Sequence, residues 1–299
     1  MSQLSYRNGQ FVTDDQLTVS VTDLGFTLGV TVSEQLRTFK GKLFQTDEHL
    51  QRLQESLQII GLETAFTDDL RNAAEKLAEH NHALLDCDDD LGLTVFVTPG
   101  DPSSATDRNL TVVMFTTPLP FHRWTDKHRN GEHLQLSSVR QIPDSCWPAA
   151  LKCRSRMHYY LADQEARREN PNARAVLLDQ DGFVAEASTA SLILFRAADG
   201  LIAPRPEKVL PGVSVDYVRR TAEQLKIPYQ HQDILPEELS SADELLLCST
   251  SPCIVPVVSI NNNPVGNGNP GRVFQQLISE WSRQVGVNII EQAARFASR

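Results

Sequence analysis

Only seven of the 299 residues are lysine, and 28 Lys and Arg stand against 38 Asp and Glu, a formal charge of −10. With so little positive charge, and none of it clustered beyond short stretches, a polyanion is a poor partner and no nucleic-acid binding is expected. Cysteine is sparse and odd in number. Cys87, Cys146, Cys153, Cys248 and Cys253 show neither C-x-x-C nor Cys/His spacing, which argues against a disulfide framework and a zinc site and leaves free thiols and no metal as the expectation. Long apolar runs are missing too: those at 245–248 and 192–195 fall far short of the roughly 20 residues of a membrane helix, so no membrane partner is expected. The opening Met-Ser-Gln-Leu-Ser-Tyr-Arg has no apolar core of a secretory signal, which makes the cytoplasm the expected location.

What remains is the composition of a globular enzyme-sized chain, 40% hydrophobic and 22% charged, long enough for two α/β domains. Residues 6–12 and 36–44 read as hairpins around Asn8-Gly9 and Lys40-Gly41. A helix capped by Asp47 carries Leu50, Leu53, Leu57 and Ile60 as one apolar stripe and stops at Gly61. A second helix is predicted from Asp68 to about Asn81, followed by strands at 93–98 and 110–117 rich in Val, Thr and Phe. This gives an N-terminal α/β domain over 1–117. Residues 118–131, with two prolines and no periodicity, are the expected connection, and 132–299 form the C-terminal domain. There the pattern predicts a strand at 134–139 and a helix from about Arg156 to Arg168. Two hairpins turn through 180–182 and at Asp199-Gly200, a helix carries Val215, Val218, Ala222 and Leu225 on one face, and a strand at 244–248 runs into Ser249-Thr250-Ser251-Pro252.

Four features of this second part bear on chemistry. Gly212-Val213-Ser214 opens a helix, where unpaired backbone N–H groups and a hydroxyl suit a phosphate, and Ser249-Thr250-Ser251 is a turn rich in hydroxyls. Lys152 lies in Ala-Ala-Leu-Lys-Cys rather than in a solvated charge run, with Arg154 and Arg156 close by. A lysine desolvated beside such cations would lose proton affinity, as a Schiff-base lysine requires. Glu186, flanked by Ala185 and Ala187 at the end of an extended segment, has a carboxylate less solvated than most. Each feature alone is also compatible with an ordinary turn or surface charge.

Taken in order and spacing, the same blocks resemble the class IV aminotransferases, the group of branched-chain and D-amino acid aminotransferases and aminodeoxychorismate lyase. The resemblance runs from about Gly25 to Gly271. It is carried by Lys152 followed by Gln164-Glu165-Ala166, by Leu178-Asp179-x-x-Gly182-x-x-x-Glu186-x-Ser188, and by Leu210-Pro211-Gly212-Val213-Ser214. Ala242-Asp243-Glu244 and Ser249-Thr250 with 254–257 complete it. It implies a two-domain α/β (α+β) enzyme of fold type IV, with a small N-terminal α/β domain and a larger C-terminal mixed domain with a barrel-like sheet. The cofactor implied is pyridoxal 5'-phosphate, and a homodimer with the active site between the domains is implied as well.

By the same resemblance Lys152 is the aldimine lysine and the base that moves the proton between Cα and C4'. Glu186 pairs with the pyridine nitrogen, and Leu210 packs on a ring face. Val213, Ser214, Ser249 and Thr250 hold the phosphate, joined by Arg52 from His49-Leu50-Gln51-Arg52-Leu53. Ser33, Ser251, Arg154 and Arg156 are the substrate-side candidates, the two arginines because guanidinium forks bind carboxylates.

The departures fall on the substrate side. Where the family has Gly-Asp-Gly-Val-Phe-Glu this chain has residues 29–34, Gly-Val-Thr-Val-Ser-Glu, and Ser191 replaces a usual Asn. Met157 stands where branched-chain enzymes place a tyrosine, and Pro99-Gly100 where an Arg-Gly is common. The expected activity is amino-group transfer between an amino acid, branched-chain ones among the candidates, and a 2-oxo acid. A 4-amino-4-deoxychorismate lyase uses the same lysine and cofactor and is the alternative. A cofactor-binding homologue without turnover is a third reading.

Overall fold

The structure, a computed structural model, describes residues 2–63, 66, 68–103 and 110–298. Contacts divide the chain into two compact units. One is Met1–Leu119 together with Leu151–Ser155; the other is Pro120–Ala150 with Arg156–Arg299.

The first unit is built on a six-stranded antiparallel sheet. Its strands are β1 (Leu4–Arg7), β2 (Gln10–Thr13), β3 (Val32–Phe39), β4 (Lys42–Leu43), β5 (Leu91–Thr98) and β6 (Thr111–Pro118), in the order β2-β1-β6-β5-β3-β4. Both hairpin turns adopt positive φ at both central residues, Asn8-Gly9 and Lys40-Gly41, the geometry that matches the twist of the strands they join. A short turn, α1 (Leu24–Thr27), precedes the helices α2 (Thr46–Ile59) and α3 (Asp68–His82). Leu50, Leu53 and Leu57 of α2 and Leu70 and Leu77 of α3 pack with Leu36, Leu93 and Val95 in one core. The start of α2 differs from expectation: its N-cap is Gln45 in the left-handed conformation, and Asp47 lies inside the first turn as an exposed partner of Arg71. There an acid still favours the helix through its dipole. The same face of α2 buries His49, Arg52 and Ser56, polar residues in the stripe that the leucines define.

The second unit holds a nine-stranded mixed sheet. Its strands are β7 (Glu132–Leu136), β8 (Ala173–Leu178), β9 (Val184–Ala187), β10 (Ser191–Arg196), β11 (Gly200–Ala203), β12 (Tyr229–His231), β13 (Glu244–Ser249), β14 (Cys253–Ile260) and β15 (Asn263–Pro264). The order is β12-β11-β10-β13-β14-β7-β8-β9, with β15 on β14. Residues 120–130, which show no periodicity, fold as a 3-10 turn at Phe121–Arg123 and as α4 (Thr125–Asn130). Parallel neighbours need a crossover: α5 (Met157–Glu169) joins β7 to β8, and α6 (Val213–Gln224) joins β11 to β12. The buried face of α6 is Val213, Ser214, Tyr217, Val218, Thr221 and Ala222, which turns the stripe away from the expected Val215 and Leu225. The chain finishes with α7 (Pro236–Ser240), α8 (Arg272–Val285) and α9 (Ile289–Arg295). Leu192, Leu194, Leu245, Leu247, Val255 and Val257, alternating along three adjacent strands, form the centre of the core. Among the described residues no helix is long and apolar enough to cross a membrane.

Candidate active site

Lys152 is placed by its backbone. Residues 151–155 run beside β3 of the first unit: Cys153 bridges Val32, the Ser33 N–H donates to the Lys152 carbonyl at 3.0 Å, and the Arg154 N–H donates to the Thr31 carbonyl at 2.9 Å. The Lys152 N–H donates to Ser56 Oγ of α2 at 3.1 Å, and Ser155 Oγ donates to the Gly29 carbonyl at 2.7 Å. An extended segment tied on both sides fixes the Cα from which the amine extends, and the lysine itself is half-buried.

Beside this segment lies a buried charge cluster that spacing alone does not reveal. Glu34 on β3 is fully buried. Arg52 grips it with two parallel bonds, Nε to Oε2 at 2.9 Å and Nη2 to Oε1 at 2.8 Å, while His49 Nδ1 donates to Oε1 at 3.0 Å. Burial pushes the Glu34 carboxyl up, but the charges of Arg52 and then Lys152, with the His49 hydrogen bond, outweigh it and hold the group well below the usual carboxylate range. Burial lowers His49; its bond to Glu34 opposes this, and the charges of Arg52 and Lys152 reinforce it. The imidazole is therefore neutral near pH 7, and the cluster is one carboxylate facing one guanidinium and one nearby amine.

Two further candidates of this unit flank the lysine. Arg154 is exposed, with its guanidinium 4.7 Å from the centre of the Phe96 ring, a cation–π distance. Ser33 is buried and its hydroxyl has no hydrogen-bond partner among the described residues.

In the second unit, Glu186 lies on β9 opposite Leu177 of β8 and is 4% exposed. Its Oε1 accepts hydrogen bonds from Tyr159 OH of α5 and from Gln141 Nε2. Ser188 Oγ donates to Asp163 Oδ1 at 2.6 Å. Glu165, from the motif after the lysine, accepts from Ser137 Oγ at 2.7 Å and so ties α5 to the end of β7. Arg156 is the N-cap residue of α5.

The start of α6 and the β13–β14 turn are neighbours. Gly212 is the N-cap of α6 and offers no side chain to its first-turn N–H groups, which leaves them available to an anion. A Cβ at Gly212 would come within 2.9 Å of Ser191 Oγ. Ser191 in turn pairs with Cys248, next to Ser249 at the end of β13. Thr250 and Ser251 follow in the turn, both half-buried, and His128 Nε2 donates to the Pro252 carbonyl at 3.0 Å. Val213 and Ser214 are buried, 8% and 7% exposed, and Leu210 is half-buried just before the helix.

The structure thus groups Lys152 with Arg52, Ser33 and Arg154 in the first unit, and Val213, Ser214, Ser249 and Thr250 at one end of β13 in the second. Sequence reasoning missed Glu34, His49, Tyr159 and Gln141 as partners. For Glu34 and His49 a signal existed: an acid in a strand of buried residues, and a histidine three residues before Arg52 on the same helix face. Tyr159 and Gln141 carry no such pattern.

Among known proteins, the profile of the family described as Amino-transferase class IV matches residues 31–260. A D-alanine aminotransferase of Staphylococcus aureus (strain COL) is 26% identical over 287 residues, 94% of this chain and 97% of the relative. The T.th. branched-chain amino acid aminotransferase, in a crystal structure with N-(5'-phosphopyridoxyl)-L-glutamate, superimposes with a TM-score of 0.84 at 24% identity, covering 95% of each chain. The branched-chain amino acid aminotransferase of Escherichia coli gives the same TM-score at 23% identity, over 96% of this chain and 94% of that one.

Proposed function

The chain belongs to the class IV aminotransferases, and on that premise we propose that it is a pyridoxal 5'-phosphate transaminase in which Lys152 is the reactive amine and Glu186 the partner of the ring nitrogen. The residues present suit that cofactor. A primary amine is held on a doubly tied segment, a buried carboxylate suits a protonated pyridine, and an uncapped helix start beside a hydroxyl-bearing turn suits a phosphate. The bound group supplies an aldehyde for amine exchange and a ring that accepts the electron pair from Cα.

The remaining work falls to this chain. Val213, Ser214, Ser249 and Thr250 would offer N–H and O–H donors to the phosphate, with Arg52 as its cationic contact, and Leu210 would pack on the ring. Glu186 would hold the ring nitrogen in its protonated form by offering that proton a buried acceptor. Lys152 Nζ would be the base that takes and returns the proton at the substrate Cα. The substrates are an amino acid and a 2-oxo acid; the named relatives include D-alanine and branched-chain enzymes, both transaminases, which favours transfer over elimination. A homodimer and a cytoplasmic location belong to the same reading.

The observation that carries the proposal is Lys152, tied by backbone on both sides and next to the charge cluster of Glu34 and Arg52. Borohydride reduction of the holoprotein followed by peptide mass spectrometry is expected to place the reduced cofactor on Lys152. A D- or L-amino acid should abolish the visible band and a 2-oxo acid restore it, and Lys152→Ala should lose turnover by at least about a thousandfold. Label on another side chain overturns the assignment. Pyruvate release from aminodeoxychorismate with no oxo acid present would make the enzyme a lyase instead.

A further inference from the structure

Glu186 is held by more than the strand that bears it. Tyr159, in the first turn of α5, and Gln141, in the loop after β7, both donate to the same oxygen, Oε1, and the two donors are themselves 3.5 Å apart. Each is anchored independently. The Gln141 N–H donates to the Leu178 carbonyl at 2.9 Å, and its amide oxygen accepts from the Ile142 N–H at 3.2 Å. The amide is thereby oriented, so that its NH2 faces the carboxylate. Tyr159 packs against the cluster of Ala162, Ala166, Ala175 and Leu177, with the His158 ring 4.0 Å away.

One O–H and one N–H donor on the same oxygen stabilise a carboxylate more than the carboxylic acid, because a charged acceptor makes the stronger hydrogen bonds. Being neutral, they do so without adding a positive charge. Glu34, which is also buried, has its two oxygens taken by a guanidinium instead.

We propose that Tyr159 and Gln141 are positioning residues that keep Glu186 ionised and in one orientation, so that its charge is delivered to the protonated ring nitrogen of the cofactor. The inference rests on the reading of Glu186 given above. Tyr159 remains a donor because burial first, and the Glu186 charge and hydrogen bond next, push its phenol well above the ordinary range, with the Gln141 hydrogen bond and then Arg156 opposing. Of the nearby acids, Asp163 accepts from Ser188 and Glu165 from Ser137 and Ser138. His158, half-buried, is lowered by burial and then by Arg156, and is a neutral ring beside the phenol near pH 7.

The clamp is tested without the cofactor first. In apoprotein carrying carboxyl-13C glutamate, with Glu186→Gln assigning the resonance, Tyr159→Phe is expected to raise the Glu186 titration midpoint by about one pH unit, a tenfold gain in proton affinity. Gln141→Leu should move it the same way. In the holoenzyme both variants should shift the pH dependence of the visible band and lower kcat roughly tenfold with little change in KM. Neither should add to the effect of Glu186→Gln in double variants, since all three act through one group. An unchanged Glu186 titration in both variants overturns the proposal, and so does a shifted titration with an unmoved band and kcat. Wild-type band and kcat in Glu186→Gln overturn the reading of Glu186 itself. That failure is distinct from failure of the clamp, because the apoprotein titration involves no cofactor.

Discussion

Glu34 and Glu186 are two buried carboxylates, 0% and 4% exposed, held by different kinds of neighbour. Glu34 is matched by Arg52, a pair whose disruption leaves one uncompensated buried charge. Arg52→Ala is therefore expected to destabilise the protein by about 3–5 kcal/mol and, by the proposed phosphate contact, to weaken cofactor binding, read by chemical denaturation of apoprotein and by cofactor titration respectively. The cluster also sets the acid side of the stability profile. His49 is depressed in the fold from 6.5, so the unfolded chain takes up that proton first and stability begins to fall as the pH drops through 6.5. Glu34, held far below its ordinary 4.5, adds a steeper loss below pH 4.5. Thermal unfolding of apoprotein from pH 8 to 4 should show both phases, and His49→Asn should remove the upper one. On the substrate side, Arg154→Ala and Arg156→Ala are expected to raise KM for the amino donor roughly tenfold or more at unchanged kcat if these guanidinium groups bind its carboxylate. Unchanged KM in both variants rejects that role.

At the scale of elements, short connections carry conformational demands that longer ones do not. Gly200 opens β11 at φ 85, and a Cβ there would collide with the Pro228 carbonyl oxygen, which accepts the Leu201 N–H at 2.8 Å. Gly200→Ala meets both backbone strain and a clash with main chain, so a loss of about 2–4 kcal/mol is expected, seen as a lower denaturation midpoint at unchanged m-value. The elements themselves were legible. The hairpins at Asn8-Gly9 and Lys40-Gly41, the leucine stripe of α2 and the short apolar runs of β10 and β13 are local patterns that burial enforces. Boundaries and faces were less so. Asp47 is not the cap because the chain enters α2 through a left-handed Gln45, and the buried face of α6 is set by what the helix packs on, Tyr217 against Trp281 among others.

For the molecule as a whole, the instructive segment is 151–155, which belongs to the first unit although the chain on both sides belongs to the second. A fragment ending at Leu119 lacks it, and with it the carbonyl that accepts the Ser33 N–H and the N–H that satisfies the Thr31 carbonyl. Such a fragment should be less stable than the same fragment carrying residues 151–155 on a flexible linker, by roughly 1–3 kcal/mol for the orphaned groups. Amide exchange at Ser33 reports the difference. Equal exchange rates in the two would mean that the segment does not brace β3.

The order and spacing of Lys152, Glu186, the Gly212 helix start and the Ser249-Thr250 turn were determined by the sequence alone, because each is a local pattern of backbone and residue type that survives without knowledge of the fold. The family, the mixed α/β class and the positions of most strands follow from those patterns. The partners were decided only by tertiary structure. Arg52 reaches Glu34 across 18 residues, and Gln141 reaches Glu186 across 45. Such pairings depend on which helix face meets which strand and at what register. Periodicity records that a side chain is buried; it takes packing to supply the donor or charge that makes burial of a carboxylate tolerable.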